Sequence, residues 1–145
     1  MSSEKKINYA IIGTSFISNV IVNAIKNSKN GNVYCIYSRT IDNINKFNID
    51  NKHNIDIKYT DFDLLLNDTN IDVVYIGLPS YLHGSYTQKC AIAKKHILCE
   101  KSFTINMSDA IKTFEIIKSN NVFCMEAQMY RCHPIIPKLY ELIKQ

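Results

Sequence analysis

Residues 7–18 of the chain read INYAIIGTSFIS, and this stretch decides the predicted fold. The apolar run up to Ile12 predicts a strand, which ends in a turn at Gly13. A strand, a glycine turn and a helix form the first half of a βαβ unit, in which the helix N-terminus suits a dinucleotide pyrophosphate because its N–H groups are unpaired. The helix is predicted from apolar residues at helical spacing, which form one face: Ile17, Val20, Ile21, Ala24 and Ile25.

The glycine turn retains one glycine of the G-x-G-x-x-G dinucleotide fingerprint. Ser15 and Ser18 stand at the second and third glycine positions; both are small, and a serine hydroxyl can itself hydrogen-bond to phosphate. A tight turn without a ligand stays open as the alternative, because a single glycine after a strand is common in such turns. If the turn does bind a cofactor, the residues beside the phosphates are Gly13, Thr14, Ser15, Phe16 and Ile17.

Length and composition predict one globular domain. The chain has 145 residues, of which 46% are hydrophobic and 21% are charged, so it is long enough to bury a core and unlike a disordered segment. The net charge of +4 suits an anionic cofactor. Its lysines are scattered rather than grouped on a basic helix with aromatic residues, which argues against nucleic-acid binding.

The cysteines predict a reducing compartment. The chain has five of them, an odd number without metal-ligand spacing, and most lie in apolar runs where a free thiol packs as a small core residue. With no leading signal peptide and no apolar stretch of membrane-spanning length, we expect a cytoplasmic protein without a membrane segment and without a metal site.

Strands and helices alternate along the whole chain. The predicted strands cover 7–12, 32–37, 55–59, 71–78, 97–100 and 121–127, and the helices between them include 61–66, 81–95 and 107–119. Asp61 or Asp63 is expected to cap the first of these three helices, and Asn106 or Ser108 the last. Because parallel strands need such crossovers, the alternation predicts an α/β fold: a doubly wound, mostly parallel six-stranded sheet (a Rossmann fold), as a single domain spanning 1–145.

Polar clusters follow four of the predicted strands, at the sheet edge where ligands of doubly wound sheets bind. They are Gly13-Thr14-Ser15, Ser38-Arg39-Thr40, Pro79-Ser80 and Glu100-Lys101. This coincidence favours a ligand more strongly than the glycine turn does.

The cluster after the second strand predicts which dinucleotide is bound. An acidic residue there would bind the ribose hydroxyls of NAD, but the sequence has Ser38, Arg39 and Thr40, and Asp42 comes too late. An arginine flanked by hydroxyls suits the 2′-phosphate of NADP, with the guanidinium able to cover the adenine. We therefore predict NADP as the cofactor, with NAD open as the alternative. The alternative without a ligand is that Arg39 is a solvated arginine in a surface loop.

Six segments, followed by Tyr130-Arg131, match a known family in their order and spacing: 11–13, 37–40, 71–76, 79–83, 95–101 and 125–127. In these segments the chain resembles the Gfo/Idh/MocA oxidoreductases, a family named after glucose–fructose oxidoreductase, inositol dehydrogenase and a rhizopine-catabolism protein. The resemblance implies a nicotinamide cofactor and the oxidation or reduction of a hydroxyl/carbonyl pair on a small-molecule sugar or polyol.

The resemblance also implies roles for individual residues. Glu100-Lys101 resembles the family's Glu-Lys-Pro motif, so Lys101 is the expected catalytic residue: it would take or return the hydroxyl proton beside the nicotinamide. Ser102 replaces the motif's proline. A surface lysine after a strand is the ordinary alternative.

Five further positions are expected to border the cofactor: Leu78, Pro79, His83, Glu100 and Arg131. Pro79 and His83 match the family's Thr-Pro-Asn-x-x-His stretch, although Leu78 and Ser80 replace its threonine and asparagine. Arg131 follows the last strand, where family residues approach the nicotinamide. The alternatives are that His83 only caps or packs on its helix, and that Arg131 pairs with an acidic residue, either Glu126 or Glu141.

The family's enzymes are more than twice as long, because an α+β substrate domain follows the dinucleotide-binding domain. We expect that domain to be absent here, and the chain alone to bind cofactor weakly with little activity. A non-catalytic dinucleotide-binding or partner-subunit module is the alternative function. A third interpretation, another nucleotide or S-adenosylmethionine binder, does not explain Glu100-Lys101. The sequence predicts neither the substrate nor the oligomeric state.

Overall fold

The structure is a computed structural model that describes residues 5–144. Its strands are β1 (Ile7–Ile12), β2 (Gly31–Tyr37), β3 (Ile57–Tyr59), β4 (Val73–Ile76), β5 (His96–Cys99) and β6 (Cys124–Glu126). Its helices are α1 (Phe16–Lys26), α2 (Ile41–Asp50), α3 (Phe62–Asn67), α4 (Ser80–Ile92), α5 (Met107–Asn120) and α6 (Ile135–Ile143), with a short 3₁₀ helix at Met129–Cys132.

The six strands form one sheet in the order β3-β2-β1-β4-β5-β6, and every neighbouring pair is parallel. The predicted α/β, doubly wound fold is therefore confirmed. The strand order reverses between β1 and β4, and the crevice above that point is where such sheets bind ligands.

Both faces of the sheet are covered. On one face, Ile11, Ile36 and Tyr75 of the strands pack against Val22 of α1 and Ile44 of α2. On the other face, strand residues pack against α3, α4 and α5 through Leu65, Cys90 and Ile117. Near-continuous apolar strands with helices on both sides are typical of a buried parallel sheet.

The predicted apolar face of α1 was wrong in detail. Ser18, Val22 and Ile25 are buried, whereas Val20 is 37% exposed and Ala24 is exposed. The helix N-terminus lies so close to β4 that a Cβ at Gly77 would come within 2.7 Å of the Ser18 hydroxyl oxygen. A small side chain is therefore needed at position 18, so the first turn of α1 buries Ser18, while Val22 and Ile25 supply the apolar contacts further along the helix.

Several element bounds also differ from the sequence prediction: β3 begins at Ile57 rather than 55, and β4 covers Val73–Ile76 rather than 71–78. Left-handed residues account for two further differences. α4 ends at Ile92 rather than near residue 95, followed by Lys94 with φ of 61°. α5 ends at Asn120 and is capped by Asn121 with φ of 54°, so β6 begins at Cys124 rather than near residue 121. A left-handed residue stops a helix whatever the apolar pattern beyond it.

The predicted caps and cysteine states agree with the structure where they are described. Asp61 caps α3 and Asn106 caps α5. Cys35, Cys90 and Cys99 are free and buried, and burial raises the pKa of the Cys35 thiol to about 12. Within residues 5–144, no helix has both the length and the apolar character to cross a membrane.

Candidate functional site

Gly13 forms the turn between β1 and α1, and its conformation requires glycine. Its φ is +100°, and a Cβ there would lie 2.9 Å from the carbonyl oxygen of Gly77. The Gly13 N–H donates to the Tyr37 carbonyl at 3.0 Å, which ties the turn to the end of β2. The chain thus brings the ends of β1, β2 and β4 together at one glycine.

Ser15 caps α1 with its side chain. Its hydroxyl oxygen accepts from the Ser18 N–H at 3.3 Å and lies 3.2 Å from the Gly77 carbonyl oxygen, to which it donates. The hydroxyl proton is therefore used inside the protein. Within residues 5–144, the main-chain N–H groups of 14–17 have no hydrogen-bond acceptor. The helix N-terminus consequently offers main-chain donors rather than the serine hydroxyl.

The loops that follow β1, β2 and β4 surround a cleft of about 290 Å³ at the switch point of the sheet. Seven of the predicted site residues line this cleft and are brought together there: Gly13, Thr14, Ser15, Ser38, Arg39, Leu78 and Pro79. Phe16 and Ile17 lie in the first turn of α1 beside it, with Phe16 82% exposed, and Thr40 caps α2 through its hydroxyl.

Arg39 projects from the loop after β2 and is exposed. In the part of the chain that the structure describes, its guanidinium has neither a hydrogen-bond acceptor nor a salt-bridge partner. Ser38 beside it is buried, and its N–H donates to the Tyr59 carbonyl at 3.2 Å. Arg39 is thus a free cation at the mouth of the cleft, held on an anchored loop.

Six cleft residues were missed from the sequence: Tyr37, Asn43, Gly77, Tyr81, Leu82 and Tyr86. Tyr37 ends β2 and its ring centroid lies 6.4 Å from that of Tyr86 on α4. Burial, with a hydrogen bond to Tyr86, raises the pKa of Tyr37 to about 12, so its phenol is neutral. The only signal for these residues in the sequence was their position: Tyr37 directly precedes Ser38-Arg39, and Tyr81 lies in the first turn of α4.

The polar cluster Glu100-Lys101 directly follows β5. Glu100 is 5% exposed; its Oε1 accepts from the Tyr75 hydroxyl at 3.0 Å and its Oε2 accepts from the Lys101 N–H at 3.4 Å. Lys101 is exposed, and the Lys101–Ser102 peptide bond is cis. Glu100 is therefore held inside the protein, while Lys101 presents its side chain to solvent at the carboxyl end of the sheet.

His83 is buried and does not line the cleft. Its Nδ1 lies 2.8 Å from the Ser102 carbonyl oxygen, and its Nε2 lies 2.7 Å from that of Leu78. A neutral imidazole donates through one of these nitrogens. His83 thus joins the loop after β4 to the loop after β5, and both ring nitrogens face main-chain oxygens rather than the cleft.

Arg131 lies in the 3₁₀ helix after β6, exposed and away from the cleft. Within residues 5–144 it forms no ion pair with Glu126 or Glu141. Glu126 instead accepts from the Phe103 N–H at 2.8 Å and from the Gln128 side-chain amide at 2.7 Å.

A family model matches residues 7–128 of the chain; it describes the Gfo/Idh/MocA family of oxidoreductases, with an NAD-binding Rossmann fold. The chain is similar to D-xylose 1-dehydrogenase (NADP(+)) 2 of Haloferax volcanii, with 36% identity over 85 residues, 59% of this chain and 26% of that protein. It is also similar to the scyllo-inositol 2-dehydrogenase (NADP(+)) IolU of Bacillus subtilis, with 30% identity over 121 residues, 83% of this chain and 36% of that protein. The chain therefore spans well under half the length of both relatives.

Solved structures share the fold. KijD10, a 3-ketoreductase from Actinomadura kijaniata in complex with NADP and TDP-benzene, matches with a TM-score of 0.85 at 24% identity, over 97% of this chain and 42% of that one. A probable dehydrogenase from Thermotoga maritima matches with a TM-score of 0.84 at 24% identity, over 95% of this chain and 41% of that one.

Proposed function

The chain belongs to the Gfo/Idh/MocA oxidoreductase family, and from that premise we propose that it binds NADP across the carboxyl ends of β1, β2 and β4. The proposed reaction is hydride transfer between the nicotinamide and a hydroxyl/carbonyl pair of a sugar or polyol. The observation that carries the proposal is the cleft after β1, β2 and β4, which brings together unpaired main-chain N–H groups, an exposed arginine and a glycine turn.

The phosphates fit the first turn of α1. The unpaired N–H groups of residues 14–17 and the positive end of the helix dipole suit an anion. Gly13 leaves no side chain between this turn and the end of β4, where a Cβ would meet Gly77. Ser15 contributes by capping the helix, and its own N–H remains available to a phosphate oxygen.

The adenosine end fits the loop after β2. None of the described residues that line the cleft is acidic, so no carboxylate is placed to accept from ribose hydroxyls or to repel a 2′-phosphate. Arg39 offers a planar pair of donors that suits phosphate, and Tyr37, Tyr81 and Leu82 provide apolar wall for a base. This arrangement favours NADP over NAD.

Lys101 is the proposed catalytic residue. When bound, the cofactor would supply the redox chemistry: NADP+ would accept the hydride in alcohol oxidation, and NADPH would donate it in carbonyl reduction. The ε-amine of Lys101 takes the hydroxyl proton when the alcohol is oxidised and returns it when the carbonyl is reduced. Its place on a short loop directly after β5 supports this role, because N–H groups of the loop donate to the carboxylates of Glu100 and Glu126.

The activity that we expect of these 145 residues depends on how well they can orient a substrate against the cofactor. The relatives that carry sugar and inositol dehydrogenase names are covered over only 26% and 36% of their lengths. Orienting a polyol against the cofactor supplies much of the rate of such a reaction. We therefore propose that the chain by itself binds NADP weakly and turns over sugars or polyols slowly or not at all; rapid turnover would contradict this.

Calorimetric titration of NADPH and NADH tests the proposed cofactor. We expect NADPH to bind more tightly than NADH, and Arg39→Ala to weaken NADPH by about 10–100-fold, the value of one charge-assisted phosphate contact, with little effect on NADH. Lys29→Ala, which removes an exposed cation outside the cleft, is the matched control and should change neither affinity. Equal affinities for the two dinucleotides, unaffected by Arg39→Ala, would contradict the proposal. Binding without turnover when the substrate-binding part is supplied would instead support a non-catalytic module.

A further inference from the structure

Three consecutive residues after β5 are each held by a different polar side chain. The Lys101 N–H donates to Glu100, the Ser102 carbonyl lies 2.8 Å from His83, and the Phe103 N–H donates to Glu126 at 2.8 Å. The side chains come from different elements, since His83 lies on α4 and Glu126 ends β6. The loop that presents Lys101 is therefore hydrogen-bonded at Lys101 and Phe103, and His83 contacts Ser102 between them.

Glu126 and Glu100 hold this loop from opposite faces of the sheet. Glu126 pairs in register with Cys99, and Glu100 follows Cys99 in the chain, so the two carboxylates point to opposite sides. Glu126 uses both of its oxygens: Oε1 accepts from the Phe103 N–H, and Oε2 accepts from the Gln128 amide at 2.7 Å. A carboxylate that accepts from a main-chain N–H makes a strong, directional bond.

We propose that Glu126 is a positioning residue for Lys101: it fixes the loop 101–103 from β6 and so sets where the lysine ε-amine stands against the nicotinamide. This inference rests on the proposed role of Lys101. Glu126 does not touch the cleft itself, and its hydrogen-bond partners lie after β5 and β6, whereas Gly13 and Arg39 lie after β1 and β2. Loss of Glu126 therefore affects the nicotinamide end of the site and leaves the adenosine end unchanged.

Two ligands distinguish an effect at the nicotinamide end of the site from an effect at the adenosine end. NADPH spans both, whereas adenosine 2′,5′-bisphosphate reports only the adenosine end. In Glu126→Ala we expect the affinity for NADPH to fall about tenfold, with the affinity for adenosine 2′,5′-bisphosphate unchanged within about twofold. Glu126→Gln keeps an oxygen that accepts from the Phe103 N–H and should restore most of the NADPH affinity.

Asp72→Ala is the matched control. Asp72 also accepts a main-chain N–H, from Asn8 at 2.8 Å, but at the opposite edge of the sheet. We expect Asp72→Ala to lower the free energy of unfolding by an amount comparable to Glu126→Ala. It should leave the affinities for NADPH and adenosine 2′,5′-bisphosphate unchanged. Equal losses for both ligands in Glu126→Ala, or no loss of NADPH affinity, would overturn the positioning role.

Amide hydrogen exchange in the free chain tests the loop without any cofactor. Exchange of the Phe103 N–H should accelerate at least about tenfold in Glu126→Ala and return towards the wild-type rate in Glu126→Gln. Unchanged exchange would show that Glu126 does not hold the loop and would overturn the inference. A wild-type chain that binds neither NADPH nor adenosine 2′,5′-bisphosphate would instead refute the proposed function, and the positioning role with it.

Discussion

Gly13 is the residue on which the cleft depends. Because its φ is +100° and a Cβ would lie 2.9 Å from the Gly77 carbonyl oxygen, any side chain there forces β1 and β4 apart. We expect Gly13→Ala to lower the free energy of unfolding by at least roughly 1–2 kcal/mol. The same change should weaken NADPH binding. Urea denaturation with a parallel titration checks both, and wild-type stability in Gly13→Ala would contradict the assigned strain.

For individual residues, the sequence predicted which side chains follow the strand ends, but it did not predict their hydrogen bonds. Arg39 and Lys101 could be found because strand ends are visible in the apolar pattern, and both are exposed at the carboxyl edge of the sheet. The internal bonds of Ser15 and His83 could not be found. They are made to carbonyls of Gly77, Leu78 and Ser102, which are distant in sequence and carry no signal of their own.

Among the elements, α1 and α2 are linked by a buried histidine. His53, after α2, places Nε2 2.7 Å from the Asn19 side-chain oxygen and Nδ1 3.1 Å from the Lys26 ammonium nitrogen. Lys26 can only donate, so Nδ1 is the acceptor and Nε2 carries the proton. Burial first, and then the charge of Lys26, lower the pKa of His53, so the folded chain holds it neutral.

The lowered pKa of His53 predicts a loss of stability in mild acid. The unfolded chain binds this proton at about pH 6.5, the ordinary histidine value, whereas the folded chain resists it. The unfolded state therefore holds more protons, and the free energy of unfolding falls as the pH drops through that value. His53→Gln should reduce this dependence between about pH 7.5 and 5.5. Identical pH profiles for the two proteins in urea denaturation would contradict this assignment.

The packing of α4 on α5 depends on Gly84. A Cβ at this position would collide with the carboxylate of Asp109 in the first turn of α5. We expect Gly84→Ala to destabilise the chain by about 1–3 kcal/mol, the usual cost of overpacking. In an Asp109→Ala background the same change should cost much less, because the colliding group is gone. Equal costs in both backgrounds, measured by denaturation, would contradict the contact.

The existence and order of elements were predictable, and their ends were not. Apolar runs at strand spacing and helical spacing gave all six strands and the crossover helices, which require a parallel sheet. Left-handed residues at Lys94 and Asn121 set the ends of α4 and α5, and neither is glycine. The buried face of α1 was misread because close approach to Gly77, rather than apolarity, selects Ser18.

On the scale of the whole molecule, stability is unevenly distributed. β1 and β4 at the sheet centre end in fully buried residues, whereas no residue of α6 is buried and Ile143 is 80% exposed. We expect amide hydrogen exchange to be slowest in β1 and β4 and fast throughout α6, because local opening of α6 exposes little additional apolar surface. Protection of α6 equal to that of β1 would show that this helix is covered in solution.

The two edges of the sheet are chemically distinct. At the carboxyl edge, main-chain donors and Arg39 lack protein partners among the described residues. At the opposite edge, polar groups bond to one another: the Asn32 amide donates to Asn8 at 2.8 Å, and Asn8 donates to Asp72. The polar groups named at the amino ends of the strands therefore bond to one another, whereas donors at the carboxyl ends remain unpaired. The free chain thus already presents its hydrogen-bond donors at the carboxyl ends, where we propose that the ligand binds.

The most direct measurement is NADPH titration of the ¹⁵N-labelled chain, followed by the NMR shifts of its backbone amides. We predict that the shifts concentrate at residues 13–17, 38–40, 78, 80–81 and 101–103, with those of Asn8, Asn32 and Asp72 unchanged. An absence of shifts at saturating NADPH, or shifts confined to other regions, would show that NADPH does not bind at the carboxyl ends of β1, β2 and β4.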